Sequence, residues 1–309
     1  MAVIIAEYLG QRTDIDHPII SPVKPRSGAL CPFMDRSCDK NAKGYHPVCS
    51  VRKPDGELWI NCEHRLCATY SKKKVGKKDV EIGLVDHQID ILNKVATTIY
   101  PNDFELADIG VRREVPIPLD ETRKHNYHAD YIMRNFANNS KVDEILLEMQ
   151  GGGECSGSTA SHMSNWETSV VRDNALLRTP TSKASVMVTN AWRRQQEQFL
   201  VKGNVVSQTG GKIVFAVGSL INKYLKNKFK NSSLTDLRKH NWTLCILPFK
   251  EDKSRPPQHG AIPLIVDEEN LLFTNYSTFV RFLTDQGVPS PDIFEGEFLS
   301  LTNQIIKVE

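Results

Sequence analysis

DEILLEMQGGG, residues 143–153, carries an apolar centre of strand length, Ile145-Leu146-Leu147, that a glycine block ends. Alternate side chains of a strand share a face, so Glu148 and Gln150 project together while Leu147 and Met149 point the other way. An acid and an amide side by side at the end of an apolar strand are costly to bury without a task. Outward from this strand, 104–119 (FELADIGVRREVPIPL) and 127–136 (YHADYIMRNF) read as extended on one side. On the other side helical stretches, 161–178 and 190–201, precede the strand-like KIVFAVG (212–218). Helix-like SLINKYLKNKF (219–229), strand-like WTLCILPF (242–249) and IPLIV (262–266), and a helix near 277–286 follow. Upstream, Val85, Ile89, Leu92, Val95, Ala96 and Ile99 recur at helical spacing and predict an amphipathic helix over 82–99. Strands alternating with helices in this way predict an α/β (α+β) fold, a mixed central sheet flanked by helices.

Asp130 in YHADYIM precedes Glu148 by eighteen residues. If 127–134 is the neighbouring strand, the two carboxylates approach each other and share a hard cation such as magnesium. Phosphodiester hydrolysis needs this equipment: the metal acidifies and orients a water and neutralises charge growing on the phosphate. Glu114, in REVPIPL, is a further carboxylate for the cluster. Against this stands the ordinary case, in which an Asp and a Glu on adjacent strands are surface residues.

Five of the seven cysteines, Cys31, Cys38, Cys49, Cys62 and Cys67, fall within 37 residues. The start, MAVIIAEYLGQRTDIDHP, lacks a basic leader, so a cytoplasmic chain with reduced thiols is expected, and the cluster reads as a metal site over a disulfide framework. Cys31, Cys38, Cys49 and Cys62 are separated by six, ten and twelve residues, with Pro32, Gly44, Pro47 and Gly56 between them to turn the loops back. Four thiolates around one ion suit zinc and equally suit iron. Cys62 is favoured over Cys67 as the fourth ligand, and His64 is a poorer candidate. The site reads as structural, folding about 40 residues that hold little apolar material.

At 309 residues, 40% hydrophobic and 25% charged, the chain is an ordinary globular one, divided here into an N-terminal region (1–80) with the cysteine segment (31–67) and a larger unit (81–309). No apolar run approaches the ~20 residues that cross a bilayer. The net charge of +2 decides nothing about nucleic acid, which needs a local basic surface. The basic run Lys72, Lys73, Lys74, Lys77 and Lys78 reads as a solvated loop or as a phosphate contact.

Taken together, ALCPFMDRSC (29–38), HPVCSVR (46–52), GELWINCEHRLC (56–67), YHADYIM (127–133) and EILLEMQGGGECSGS (144–158) resemble the NotI family of restriction endonucleases. The resemblance implies a PD-(D/E)XK nuclease core with an N-terminal four-cysteine metal-binding segment. It implies a homodimer that cuts double-stranded DNA with magnesium at a GC-rich palindrome like CGGCCG, functionally paired with a DNA methyltransferase. It also implies iron in the cysteine site. Carried over by position, Asp130 and Glu148 are the metal-binding carboxylates and Gln150 stands where the motif has lysine; Glu114 is placed less securely. A glutamine neither titrates nor carries charge, so the attacking water must be deprotonated by another group. Lys212, at the start of KIVFAVG, is an alternative source of a lysine, and Arg193, Arg194, Gln195 and Gln196 are either base-reading groups on one helix or a solvated face. A metal-stabilised DNA-binding protein without catalysis, or a PD-(D/E)XK nuclease of another role, are the competing readings.

Overall fold

The apolar strand quoted first lies in the middle of a mixed seven-stranded sheet. The computed structural model describes residues 2–15, 20–100, 104–118, 126–137, 144–151, 155–157, 163, 166–168, 174–180, 184–230, 234, 236–284 and 295–308. Strands Ile4–Tyr8 (β1), Gln11–Arg12 (β2), Val48–Arg52 (β3) and Leu58–Ile60 (β4) make an antiparallel sheet of order β2-β1-β3-β4. Lys72–Val75 (β5) and Lys78–Glu81 (β6) make a hairpin from the lysine run that reads in the sequence as a loop. Ile109–Pro118 (β7), Asn126–Asn135 (β8) and Ile145–Gln150 (β9) follow, and Cys155–Gly157 (β10) pairs with Ala184–Val186 (β11). Lys212–Gly218 (β12), Leu244–Glu251 (β13), Leu264–Val266 (β14) and Leu272–Thr274 (β15) complete the large sheet, whose order is β14-β13-β12-β9-β8-β7 with β15 also on β13. Pairs β9/β12 and β12/β13 are parallel; β7/β8, β8/β9, β13/β14 and β13/β15 are antiparallel.

The parallel centre is apolar on both faces because helices cover both. One face of β9 and β12, Ile145, Leu147, Met149, Val214 and Ala216, packs with Ile91, Leu92, Val95 and Ala96 of the helix Asp86–Ile99. That helix starts four residues later than its spacing predicts, and its buried stripe is rotated: Ile91 is buried while Ile89 is 39% exposed. The other face, Leu146, Ile213, Phe215 and Val217, packs with Ala191, Trp192, Phe199 and Val206 of the long helix Val188–Thr209. Helices Ser219–Lys228 and Tyr276–Thr284 join this second layer. No helix among the described residues is long and apolar enough to cross a membrane.

The lead-in and the cysteine segment are more strand-rich than the sequence suggests. Val3, Ile5, Tyr8, Val48, Val51 and Trp59 share one apolar core with Phe215 and the long helix, so residues on both sides of position 80 bury each other. One close approach fixes this arrangement. A side chain on Gly151 would meet Ile60, and one on Gly218 would lie 2.3 Å from the carbonyl oxygen of Gly151. Only glycine lets β4 and the end of β12 close on the end of β9 in this way.

Candidate functional site

Strands β7 and β8 change faces at the same point. On β8, Tyr127 and Ala129 belong with the long-helix layer, whereas Tyr131 and Met133 belong with the 86–99 layer. On β7, Ile109 and Val111 lie on the latter side and Val115 and Ile117 on the former. A regular strand would keep each of these sets on one face, so each strand is broken between its sets, at Glu114 and Asp130. Glu114 and Asp130 stand opposite each other, between the pairs Arg113↔Tyr131 and Val115↔Ala129. Glu114 has φ +49°, in the left-handed region, a conformation that costs about 1–3 kcal/mol in a side-chain-bearing residue and clusters at functional sites.

The ladder between β8 and β9 ends there too. Its last pair is Tyr131↔Leu147, and one step further Asp130 and Glu148 replace backbone pairing with side-chain pairing. The Met149 amide donates to Asp130 Oδ2 at 2.8 Å, and the Asp130 amide points at Glu148 Oε1 at 3.4 Å. The strands splay into a cleft lined by Glu63, His64, Glu114, Asp130, Glu148 and Gln150, and by Gln195 and Gln198 of the long helix. All four cleft residues expected from the sequence are therefore brought together. Glu114 lines the cleft but does not form a tight triad with the other two carboxylates; its Oε2 accepts from the Ser71 amide at 3.4 Å.

Burial dominates the electrostatics. Burial pushes Glu148 up to about 8, the neighbouring Asp130 adds to the rise, and Lys202 opposes it. Burial likewise raises Asp130, against Lys202 and the Met149 amide, with Glu114 adding to the rise. A buried carboxylate, Glu148, beside a half-buried one, Asp130, has few ways to lower its energy: hold a proton, or take a cation. The acceptor atoms of Glu114, Asp130, Glu148 and Gln150 are oxygens, which suit a hard divalent ion, while His64 and Cys67 also line the cleft.

Lys202 is the residue that sequence reasoning missed. It extends from the long helix, is 1% exposed, and its Nζ lies 2.7 Å from Glu148 Oε2. Residues Trp192, Phe199 and Val206 are buried at helical spacing around it, so a lysine occupies a place on the apolar stripe. The expected helical segment stops at Val201, one residue before it. Gly203 interrupts the pattern, at about 1 kcal/mol relative to alanine in a helix interior. In the fold the Tyr276 ring packs where a side chain on Gly203 would stand, and Tyr276 Oη donates to the Leu200 carbonyl at 2.5 Å.

Lys212, the alternative lysine, does not reach the cleft. It pairs with Ile145 at the opposite end of β9, whereas Glu148 pairs with Phe215, three residues or roughly 10 Å along the strand. Its Nζ lies over the Trp242 ring at 4.7 Å. Of the four polar residues on the long helix, Gln195 faces the cleft, Arg193 is exposed and Gln196 is half-buried; the Arg194 side chain lies outside the described residues.

The cysteines fall in two places. Cys31, Cys38 and Cys62 line a second cavity, which shares Glu63 and His64 with the carboxylate cleft, and Cys49 is buried in the same small core as Cys31 and Cys38. Cys67 faces the other way, its Sγ 3.3 Å from Tyr131 Oη. Among the described residues no three sulfurs come within 4.8 Å of one another; the one such ligand group is Asp39, Glu63 and His64, with His64 Nε2 3.0 Å from Asp39 Oδ2. Burial pushes Cys31 up to about 12 and raises Cys49 and Cys62, so free thiols stay protonated. Nearby donors oppose that rise, while the carboxylates of Asp39, Glu7 and Glu63 add to it. Backbone amides of Phe33, Gly10 and His64 donate to Cys31, Cys49 and Cys62, and the Lys40 ammonium lowers both Cys49 and Cys62. Lys40 Nζ is held beside them by the carbonyls of Val48 at 2.7 Å and Asn61 at 3.2 Å.

Compared with known protein families and with curated proteins, the chain matches no family model and no curated sequence.

Proposed function

We propose that this chain is a magnesium-dependent endonuclease of the PD-(D/E)XK type that cuts double-stranded DNA, as its resemblance to the NotI restriction endonucleases implies. The observation that carries the reading is the convergence of Glu114, Asp130, Glu148 and Gln150, from three consecutive strands, on one cleft at a break in the sheet. Such a cleft fits a hard cation, because buried Glu148 and half-buried Asp130 stand side by side with the Lys202 ammonium as the cation that opposes the rise of both. When bound, the metal supplies an acidified water and neutralises the phosphate.

The chain's own residues do the rest. Asp130 and Glu148 hold the cation, and Asp130 is itself fixed by the Met149 amide at 2.8 Å. Gln150 projects from the same face of β9 as Glu148 and holds the attacking water by hydrogen bonds. The water oxygen bonds to phosphorus as one ester P–O bond breaks; the attacking water gives one proton to an oxygen of the substrate phosphate, and that proton is passed through a second water to the leaving oxygen. Beside the cleft, Arg113 on β7 donates to the carbonyls of Tyr70 at 2.9 Å and of Ile82, which flank the β5–β6 hairpin. Lys72, Lys73, Lys74, Lys77 and Lys78 on and around that hairpin contact DNA phosphates. A structural ion held by Cys31, Cys38, Cys49 and Cys62, iron by the resemblance and zinc equally by donor chemistry, rests on the resemblance and on the donor type, since among the described residues no three of these sulfurs lie within 4.8 Å of one another. A homodimer reading a GC-rich palindrome, with a companion methyltransferase that protects the host, completes the proposal.

The test is digestion of unmodified GC-rich plasmid in magnesium and in EDTA, with folded Asp130→Ala and Glu148→Ala proteins alongside. Discrete fragments are expected only with magnesium and only from the unsubstituted chain. DNA that is bound but never cut would leave a metal-stabilised DNA-binding protein as the better reading.

A further inference from the structure

Lys202 has no assigned task in that reading, and its position is expensive. An ammonium that is 1% exposed, on the apolar stripe of a helix, is retained against a large desolvation cost. Its place is also specific. Ala191, Gln195 and Gln198 of the same helix line the cleft, and Lys202 follows four residues after Gln198, so the cleft-facing row of the helix ends in a cation. It meets one oxygen of one carboxylate: Nζ holds Glu148 Oε2 at 2.7 Å, while Oε1 lies 3.4 Å from the backbone amide of Asp130. The helix that carries it is pinned on the far side by Tyr276, which packs against Gly203 and bonds the Leu200 carbonyl.

We propose that Lys202 is the positioning residue of the cleft: by holding Glu148 Oε2 from the long helix, it fixes the orientation of the Glu148 carboxylate beside Asp130, in the cleft that both residues line, and so sets the two-carboxylate face that takes the divalent cation. Strand β9 has no lysine of its own beside Glu148, since Gln150 stands there, and the long helix supplies the ammonium from another element. This inference rests on the reading of the cleft as a metal site, and its test separates the two.

Two roles for Lys202 make opposite predictions for the metal alone. If it were only a counter-charge in the core, removing it would leave the cleft more negative and tighten cation binding. If it positions Glu148, removing it frees the carboxylate to rotate, and affinity falls by about 10–100-fold, the usual loss when a partner of a ligating group is removed. Mn2+ binding to the purified, DNA-free chain is measured by titration calorimetry for the unsubstituted protein, Lys202→Met and Lys202→Gln, each checked for folding by thermal melting. Methionine fills the site without charge; glutamine keeps a donor for Oε2 and is expected to recover part of the loss. A loss of at least tenfold for Lys202→Met, with a smaller loss for Lys202→Gln, is the expected result. Unchanged or tighter Mn2+ binding in both variants overturns the proposal, and so does an unsubstituted chain that takes up no Mn2+. Plasmid cleavage by the unsubstituted chain is scored in parallel. A chain that binds Mn2+ through Lys202-dependent carboxylates but never cuts DNA overturns the nuclease reading and leaves the positioning role standing.

Discussion

Glu7→Gln tests how firmly the N-terminal sheet is tied to the cleft. Glu7 and Arg65 are both 0% exposed, and Arg65 Nε reaches Glu7 Oε2 at 2.7 Å while its second donor reaches Oε1 at 2.9 Å. Ser50 Oγ adds a bond of 2.5 Å and the Ile262 amide one of 2.8 Å. Arg65 belongs to the short helix His64–Cys67, whose His64 and Cys67 line the cleft. The substitution keeps the shape but leaves the guanidinium buried without its counter-charge, a loss of about 3–5 kcal/mol. With an unfolding entropy near 2.1 cal/mol/K per residue, a chain of 309 residues changes by about 0.65 kcal/mol per degree, so melting should fall by about 5–8 °C. The pH dependence has a definite sign. Burial alone would raise Glu7, but the Arg65 charge and the bonds from Arg65, Ser50 and Ile262 outweigh it and hold the group below its ordinary 4.5. The pair's contribution is therefore complete above pH 4.5 and is lost as pH falls through the lower folded value. Urea titrations of both proteins at neutral and acid pH measure the gap. A loss under about 1 kcal/mol at neutral pH, or a gap that stays constant on acidification, would refute this account of the pair.

The carboxylate pair behaves in the opposite sense: in EDTA, stability should decline as pH rises from 4.5 toward about 8, because folded Glu148 holds its proton more tightly than the unfolded chain does. Saturating magnesium should flatten that decline, and melting curves across this window check both. Asp130→Asn removes the like charge while its amide oxygen still accepts from Met149, so in EDTA it should melt a degree or more above the unsubstituted chain, and it should lose the stabilisation by magnesium. Replacing Lys72, Lys77 and Lys78 by glutamine should lower the steepness of log K against log salt for DNA by about 2–3, at roughly 0.9 for each phosphate that is no longer neutralised. Fluorescence anisotropy in calcium measures it, and an unchanged slope assigns the hairpin to solvent.

Much of the sheet is legible because its central strands are short apolar runs with sharp ends. KIVFAVG is β12 to the residue, and DEILLEMQ contains β9. What the sequence hides is where local period and tertiary packing disagree. Strand β1 looks like an irregular lead-in because IIAEY mixes buried apolar residues with Glu7, and only Arg65, 58 residues away, makes that acid tolerable in the core. The lysine run gives no apolar alternation, since both of its strands are largely exposed, so nothing in its pattern announces a hairpin. The 86–99 helix reads with its stripe out of phase because Gln88 is buried: its side chain donates to the Ala68 carbonyl at 2.6 Å and accepts from the Val85 amide at 2.9 Å.

For the cleft, the informative residues are those whose type conflicts with their place. Glu148 at the end of an apolar strand is one, and it is readable because a two-residue period is enough to assign its face. Asp130 and Glu114 need the ladder: each sits where its strand changes faces, so alternation from either end assigns it a different side, and only the register opposite one another shows that the breaks coincide. Lys202 is within reach of the same logic. Its neighbours on the stripe, Trp192, Phe199 and Val206, are all apolar, and extending the helix by eight residues to Thr209 places a lysine among them. A charged residue on an apolar stripe calls for a buried partner of opposite sign, and the sequence holds a strand-end acid, Glu148, in the same position with the opposite charge. Each is improbable alone and reasonable with the other, so two separately anomalous residues predict one contact, which the structure places at 2.7 Å.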